Sequence, residues 1–158
     1  MKVLIIILFF NLFLRAENIY QNQEYDDLFI KYGKYYNVNP ILLKGIGIVE
    51  SYLNPNSINK NSNKTFDIGL MQINDYWYDK LPKTKKKKKE LLKDPNYSIA
   101  VAAWIVASNT KNVYNWKTVG NYHSVTPKYR KKWIKKLKKT LKKLRQYKSN
   151  QRLEQGFL

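Results

Sequence analysis

Apolar positions recur every three or four residues along much of the chain, which predicts a mainly helical protein. The clearest pattern begins at Asn39 and Pro40, a favourable N-cap and first helical residue. One face of this predicted helix is apolar and comprises Leu42, Gly45, Ile46, Val49 and Leu53. A carboxylate, Glu50, stands at the end of that apolar stripe.

Three further segments show helical spacing. Residues 24–36 predict an amphipathic helix that packs on the Glu50 helix. Asp94 and Pro95 are expected to start an apolar, alanine-rich helix through residues 97–107, suited to the centre of the fold. Pro127 begins a basic amphipathic helix whose apolar stripe comprises Tyr129, Trp133, Leu137, Leu141 and Leu144.

The second half of this basic helix has two interpretations. It lies on an anionic membrane, wall polymer or partner, or it is a solvated helix with a short core seam. Residues 149–158 are predicted to form a frayed tail. A separate basic run at residues 83–89 predicts a solvated loop or the frayed start of a helix.

Residues 53–65 are rich in Asn, Ser and Lys and predict a loop of the kind that often carries function. Gly69 follows, and we expect it to allow close approach of the backbone to a substrate. Asp67, next to this turn, is expected to act mainly as a hydrogen-bonding group for the Gly69 turn.

The first 16 residues are predicted to be a signal peptide. A basic Lys2 precedes about a dozen apolar residues, fewer than the roughly 20 needed to span a bilayer. The alternative is an uncleaved anchor. In both cases the protein is expected to be exported to the periplasm or cell envelope.

The amino-acid composition excludes several classes of functional site and favours certain partners. The chain has 158 residues, no cysteine, one histidine and a net charge of +19. The absence of cysteine excludes thiol catalysis and disulfides, and a single histidine excludes a histidine-rich metal site, whereas the high positive charge favours polyanionic surroundings. Nucleic acid is not expected as a partner, because an export signal is present and no recognised nucleic-acid motif is. The 13 Tyr and 4 Trp residues fit either packing or a sugar site.

Glu50 is the best candidate for acid–base chemistry. Partial burial beside the apolar stripe favours its protonated form, which can protonate a leaving group. A solvated glutamate near a helix end is the alternative interpretation.

An ordered set of motifs resembles the lytic transglycosylase (SLT) domain. It comprises Glu50-Ser51, Asn54-Pro55, the segment DIGLMQIN at 67–74, Ala102-Ala103 and GNYHS at 120–124. The resemblance implies a mainly α, lysozyme-like α+β fold, a single compact helical domain with a small hairpin region beside the cleft. Residues 17–129 would form the catalytic domain and residues 130–158 the basic helix and tail. The motifs are most similar to small members that accompany secretion, pilus and conjugation machines.

The resemblance also implies roles for individual residues. Glu50 would be catalytic, and substrate would contact Ser51, Asn59, Met71, Gln72, Asn74 and Tyr122. Gln72 would bond the N-acetylated sugar, and the Tyr122 hydroxyl would bond Glu50 or the substrate. Asn59 departs from the serine of many larger members. His123 is expected to be structural.

The implied reaction cuts peptidoglycan glycan strands between N-acetylmuramic acid and N-acetylglucosamine, and Glu50 acts first as acid and then as base. Attack by the sugar's own 6-hydroxyl gives a 1,6-anhydro product, and no metal or organic cofactor is needed. Two alternatives remain open. One is a lysozyme-type hydrolase completed by Asp67 or a bound water, and the other is an inactive exported protein that binds glycan or membrane.

Overall fold

A computed structural model describes residues 19–81 and 88–155. The predicted signal peptide and most of the basic run at residues 83–89 lie outside these ranges. The described helices are α1 (Asp26–Tyr36), α2 (Pro40–Ser51), α3 (Lys88–Lys93), α4 (Pro95–Thr110), α5 (Trp116–Gly120) and α6 (Pro127–Gln155). A 3₁₀ helix covers Asp75–Lys80, and three short strands are β1 (Ile58–Lys60), β2 (Phe66–Ile68) and β3 (Ile73–Asn74). The predicted mainly helical α+β fold is confirmed.

Local sequence determines where the central helices begin. The Asn39 side chain accepts a hydrogen bond from the Ile41 backbone N–H at 2.8 Å, and Pro40 occupies the first turn of α2. Asp94 likewise accepts from the Asn96 backbone N–H at 2.9 Å at the start of α4. Both predicted caps are therefore confirmed.

Helix α2 ends just after Glu50. Tyr52 adopts a left-handed conformation (φ 56°), and its backbone N–H donates to the Ile48 carbonyl. The Leu53 N–H turns back to the Gly47 carbonyl. This reversal satisfies carbonyls of the last helical turn and leaves Glu50 in that turn, at the edge of the core.

The core surrounds α2, which packs against α1, α4 and α6. At Gly45, a Cβ would lie 2.7 Å from a Leu141 methyl carbon, so glycine allows α2 and α6 to approach closely. The whole second half of the α6 stripe is buried, including Leu137, Leu141 and Leu144. The stripe of α6 is therefore part of the core, and the basic outer face of the second half of this helix is the part that remains exposed.

Two expectations need correction. Helix α6 continues to Gln155, so residues 149–155 are helical and not a frayed tail. Gly69 has φ +78°, and a Cβ there would lie 2.0 Å from the Leu92 carbonyl oxygen. Glycine is required because this turn packs against the end of α3, not because a substrate approaches its backbone.

The small sheet has the order β1-β2-β3, and both pairs are antiparallel. Asn59 pairs with Asp67, and Asp67 pairs with Asn74. Residues paired across adjacent strands project their side chains to the same face. The register therefore gathers three polar side chains into one row.

Candidate active site

A cleft of about 620 Å³ lies between the sheet and the helices. The sheet and its loops form one wall, which we call the sheet wall. The end of α2, the loop after α5 and the start of α6 form the other, which we call the helical wall. The lining residues are Glu50, Asn61, Asn63, Thr65, Asp67, Gln72, Ile73, Asn74, Tyr76, Trp77, Ile105, Asn121, Tyr122, His123, Ser124, Val125 and Tyr129.

Glu50 lies on the helical wall, and its side chain is only 12% exposed. The indole N–H of Trp133 donates a hydrogen bond to Glu50 Oε1 at 2.8 Å. His123 Nδ1 lies 3.5 Å from the same oxygen. The carboxyl group of Glu50 thus has two aromatic nitrogen neighbours, both at one oxygen, and opens into the cleft.

Neither neighbour was identified from the sequence as part of the site. Trp133 was assigned to the apolar stripe of α6, and it is indeed buried, with 4% exposure. His123 was expected to be structural. One signal was available for Trp133, because a buried indole N–H needs an acceptor and the stripe itself offers none.

Three rings pack together behind Glu50. The His123 and Trp133 rings are parallel within 2°, with centroids 5.5 Å apart. The Tyr122 and Trp133 rings are stacked at 6.1 Å. The position of the indole is therefore held by its neighbours as well as by the core.

The Tyr122 hydroxyl donates to the Met71 backbone carbonyl at 2.7 Å. The single proton of this hydroxyl is therefore engaged, and only its lone pairs are left to accept a hydrogen bond from Glu50 or a substrate. Burial raises the pKa of Tyr122 well above its ordinary value of 10, and the negative charges of Glu50 and Asp67 add to this effect. Tyr122 is thus a neutral donor that joins the two walls.

On the sheet wall, Asp67 Oδ1 accepts a hydrogen bond from the Asn74 side-chain amide at 2.7 Å. The same amide donates to Thr65 Oγ1 at 3.0 Å, and Asn74 Oδ1 accepts from the Tyr76 backbone N–H at 3.0 Å. Asp67 therefore has a structural hydrogen bond, as expected, and this bond joins the two strands on either side of the Gly69 turn.

Gln72 lines the cleft, yet its amide group is largely occupied within the motif loop. Its two amide hydrogens reach the carbonyls of Gly69 at 2.8 Å and Ser57 at 3.2 Å. Its oxygen accepts from the Asn59 side chain. Both donors of Gln72 are used internally, so only its oxygen has free capacity for a sugar. Asn59 contacts Gln72 in this arrangement.

Ser51 and Met71 lie behind the cleft. The Ser51 hydroxyl donates to the Leu70 carbonyl at 2.7 Å and accepts from the Asn54 backbone N–H at 3.0 Å. The Met71 side chain is fully buried, at 0% exposure. The predicted contact of the Met71 side chain with substrate is corrected, because that side chain packs in the core and only its carbonyl participates, through Tyr122.

Aromatic side chains that the sequence analysis did not single out line one part of the cleft. Trp77 packs edge-on against Trp104 at 5.8 Å, and Tyr76 packs edge-on against Trp77 at 5.9 Å. The Lys80 ammonium lies 4.5 Å from the Tyr76 ring centroid. Only the general aromatic content pointed to such a surface.

Across residues 19–81 and 88–155, no cluster of three or more His, Asp or Glu side chains could hold a metal ion.

Comparisons with known proteins identify the family. The sequence profile of the family described as Transglycosylase SLT domain matches residues 27–146. Invasion protein IagB of Salmonella typhimurium (strain SL1344) is 35% identical over 129 residues, covering 78% of this chain and 81% of that protein. Protein IpgF of Shigella flexneri is 34% identical over 112 residues, covering 69% and 73%. A peptidoglycan-binding-like protein of Escherichia coli O157:H7 is 33% identical over 100 residues, covering 58% and 60%. The chain therefore belongs to the transglycosylase SLT domain family and is a lytic transglycosylase that acts on peptidoglycan.

Proposed function

We propose that Glu50 alone serves as acid and base in cleaving the β-1,4 bond between N-acetylmuramic acid and N-acetylglucosamine, with a 1,6-anhydro sugar as product. The observation that carries this proposal is the contrast between the two carboxylates of the cleft. Glu50 has one oxygen bonded to Trp133 and the other without a described hydrogen bond, whereas Asp67 is bonded to Asn74 across the sheet.

The reaction needs one proton to leave Glu50 and one to return. Protonation of the glycosidic oxygen breaks its bond to the anomeric carbon, and the 2-acetamido oxygen of the substrate supports the resulting positive charge. Ionised Glu50 then removes the proton of the 6-hydroxyl, whose oxygen closes the anhydro ring. The nucleophile is tethered to the reacting sugar, so proximity favours it over water.

The second candidate is a lysozyme-type hydrolase, because Asp67 lines the same cleft as Glu50. Product analysis separates the two. We expect muropeptides released from purified peptidoglycan to be lighter by one water than hydrolytic products. When the digestion is run in water enriched in the heavy oxygen isotope, anhydro ends acquire no label. Labelled reducing ends as the main product would establish the hydrolase instead.

We further propose that the protein works in the cell envelope, opening the wall locally for a secretion, pilus or conjugation machine. The apolar segment at residues 1–16 and the similarity to a relative named an invasion protein support this role. Within the part of the chain that the structure covers, no helix combines the length and hydrophobicity of a membrane span. Assembly of the machine should fail in cells lacking the protein and be restored by the wild type but not by Glu50→Gln. Full restoration by Glu50→Gln would refute this role.

The outer face of α6 is proposed to hold the enzyme on anionic wall polymer or membrane. No acidic residue occurs between Asp94 and Glu154, and the lysines opposite the buried stripe are exposed. The test variant replaces Lys135, Lys139 and Lys142 by Gln. We expect it to bind sacculi more weakly than the wild type at low salt, with little difference at high salt, where charges are screened. The matched control replaces the exposed Lys34, Lys111 and Lys117 by Gln. Equal losses in both variants would assign the effect to net charge and not to this face.

A further inference from the structure

The indole N–H that contacts Glu50 can only donate a hydrogen bond. It lies 2.8 Å from Glu50 Oε1, so Oε1 must accept whether the carboxyl group is ionised or protonated. In a protonated carboxyl group, the carbonyl oxygen is the better acceptor. The indole therefore favours the form of Glu50 in which Oε1 is the carbonyl oxygen and Oε2 carries the proton.

The indole is fixed in this position from several sides. Trp133 is buried in the core stripe of α6, and its ring stacks on the rings of both Tyr122 and His123. Tyr122 is itself anchored to the Met71 carbonyl. A rotation of the indole would therefore break stacking and leave a buried N–H without an acceptor, which is costly.

We propose that Trp133 is a positioning residue that gives the two oxygens of Glu50 different tasks, with Oε1 as the permanent acceptor and Oε2 as the atom that transfers the proton. This inference rests on the proposed function. The Oε2 proton passes to the glycosidic oxygen as that oxygen leaves the anomeric carbon. The proton of the 6-hydroxyl returns to Oε2 as the hydroxyl oxygen bonds to the anomeric carbon, so the cycle closes without water.

The same N–H also stabilises the negative charge that forms on Glu50 when the proton leaves. A hydrogen bond to a charged group is stronger than one between neutral groups. The bond to Trp133 therefore strengthens as proton transfer proceeds, which is the condition for an interaction that accelerates the chemical step.

Three titratable groups face this part of the cleft and must be separated from the effect of the indole. His123, from the loop after α5, lies 3.5 Å from the same Glu50 oxygen. Tyr122, from the same loop, is close enough to feel the negative charges of Glu50 and of Asp67, which lies on β2. Because His123 contacts the same oxygen as the indole, its contribution has to be removed by a separate substitution.

The first variant removes the indole N–H and keeps an aromatic ring at position 133. In Trp133→Phe, we expect kcat to fall about ten- to a hundredfold with KM changed less than about twofold. The basic limb of the kcat/KM profile should move to higher pH, because ionised Glu50 has lost a donor and retains its proton longer. The shift should persist when His123→Gln is combined with the substitution. Trp116→Phe is the matched control, since its ring is partly exposed and contacts Lys138, and its kcat should not change.

A second variant excludes a packing defect. Incorporation of 3-benzothienylalanine at position 133 replaces the indole N–H by sulfur with almost no change of shape. The proposal requires this variant to reproduce the lower kcat and the shifted limb. Wild-type kcat in this variant, or an unshifted limb with a raised KM, would overturn it. Product identification tests the proposed function separately, because anhydro products can persist even where the role of Trp133 is disproved.

Discussion

The two walls of the cleft each present a carboxyl group, but they hold it in different ways. On the helical wall, Glu50 ends a buried helix and contacts the rings of Trp133 and His123. On the sheet wall, Asp67 lies in the middle strand and is tied by the Asn74 amide to the neighbouring strand. The first group is set among aromatic side chains, and the second belongs to a network of amides and hydroxyls.

This difference shows how environment divides roles between chemically similar groups. A carboxyl group that lines the cleft and has one oxygen without a described hydrogen bond is suited to exchange a proton with a bound sugar. A carboxylate that accepts an amide hydrogen bond within a sheet is better suited to maintaining geometry. Tyr122 connects the two walls. Its hydroxyl donates to the Met71 carbonyl between β2 and β3, and its ring stacks on Trp133, which bonds Glu50.

The largest expected effect comes from removing the proton of Glu50. Glu50→Gln retains the shape and the oxygen that accepts from Trp133 but has no transferable proton. We expect turnover of purified peptidoglycan to fall by about 10²-fold or more, as is typical for loss of a general acid. Release of muropeptides measures the effect, and circular dichroism should show an unchanged fold. Activity near the wild-type level would show that Glu50 is not the general acid and that the carboxyl groups of the two walls do not have different roles.

A smaller effect is expected from the corresponding change on the sheet wall. In Asp67→Asn, the side-chain oxygen can still accept from Asn74, so the strands should remain paired. We expect turnover to fall less than about tenfold, because general acid–base catalysis would account for 10² or more. Kinetics on the same substrate measure this.

The matched control for this substitution is Asn74→Ala, which removes the donor instead. It should lower the free energy of unfolding by about 1–2 kcal/mol, because the bonds of the Asn74 side chain to Asp67, Thr65 and the Tyr76 backbone N–H are all lost. If Asp67→Asn lost as much activity as Glu50→Gln, both carboxylates would be chemical participants and the hydrolase mechanism would gain support.

The features that sequence predicted well depend on neighbouring residues. The starts of α2 and α4 follow from Asn39-Pro40 and Asp94-Pro95, because a cap and a proline act within one helical turn. Glu50 was placed at the end of a buried stripe by helical spacing alone. The family resemblance then supplied the fold and the cleft, and the matched profile and relatives agree with it.

The features that sequence did not predict depend on distant contacts. Trp133 is 83 residues from Glu50, and nothing local to either residue reveals the bond between them. Gly69 is needed because of Leu92, and the Tyr122 hydroxyl is directed to a carbonyl 51 residues away. Met71 follows the motif turn, but whether its side chain enters the cleft or the core is decided by packing on α2. Such contacts are set by tertiary structure and are not determined by spacing.

The smallest expected effect tests the connection between the walls. Tyr122→Phe preserves the stacked ring but leaves the Met71 carbonyl without its donor. We expect the free energy of unfolding near pH 7 to fall by about 1 kcal/mol.

The effect of this hydroxyl should also depend on pH. Burial raises the pKa of Tyr122 in the folded protein, whereas in the unfolded chain the same hydroxyl has its ordinary pKa of 10. The stabilisation by Tyr122 should therefore be fully present below pH 10 and decline as the pH rises above it. Denaturant unfolding at several pH values measures the difference between wild type and variant. Subtraction removes the contribution of tyrosines common to both, including Tyr25, whose pKa burial raises to about 12. Tyr35→Phe, at a highly exposed position, is the control and should change stability by less than about 0.5 kcal/mol. A difference between wild type and Tyr122→Phe that stays constant from pH 7 to pH 11 would show that this hydroxyl does not join the two walls as described.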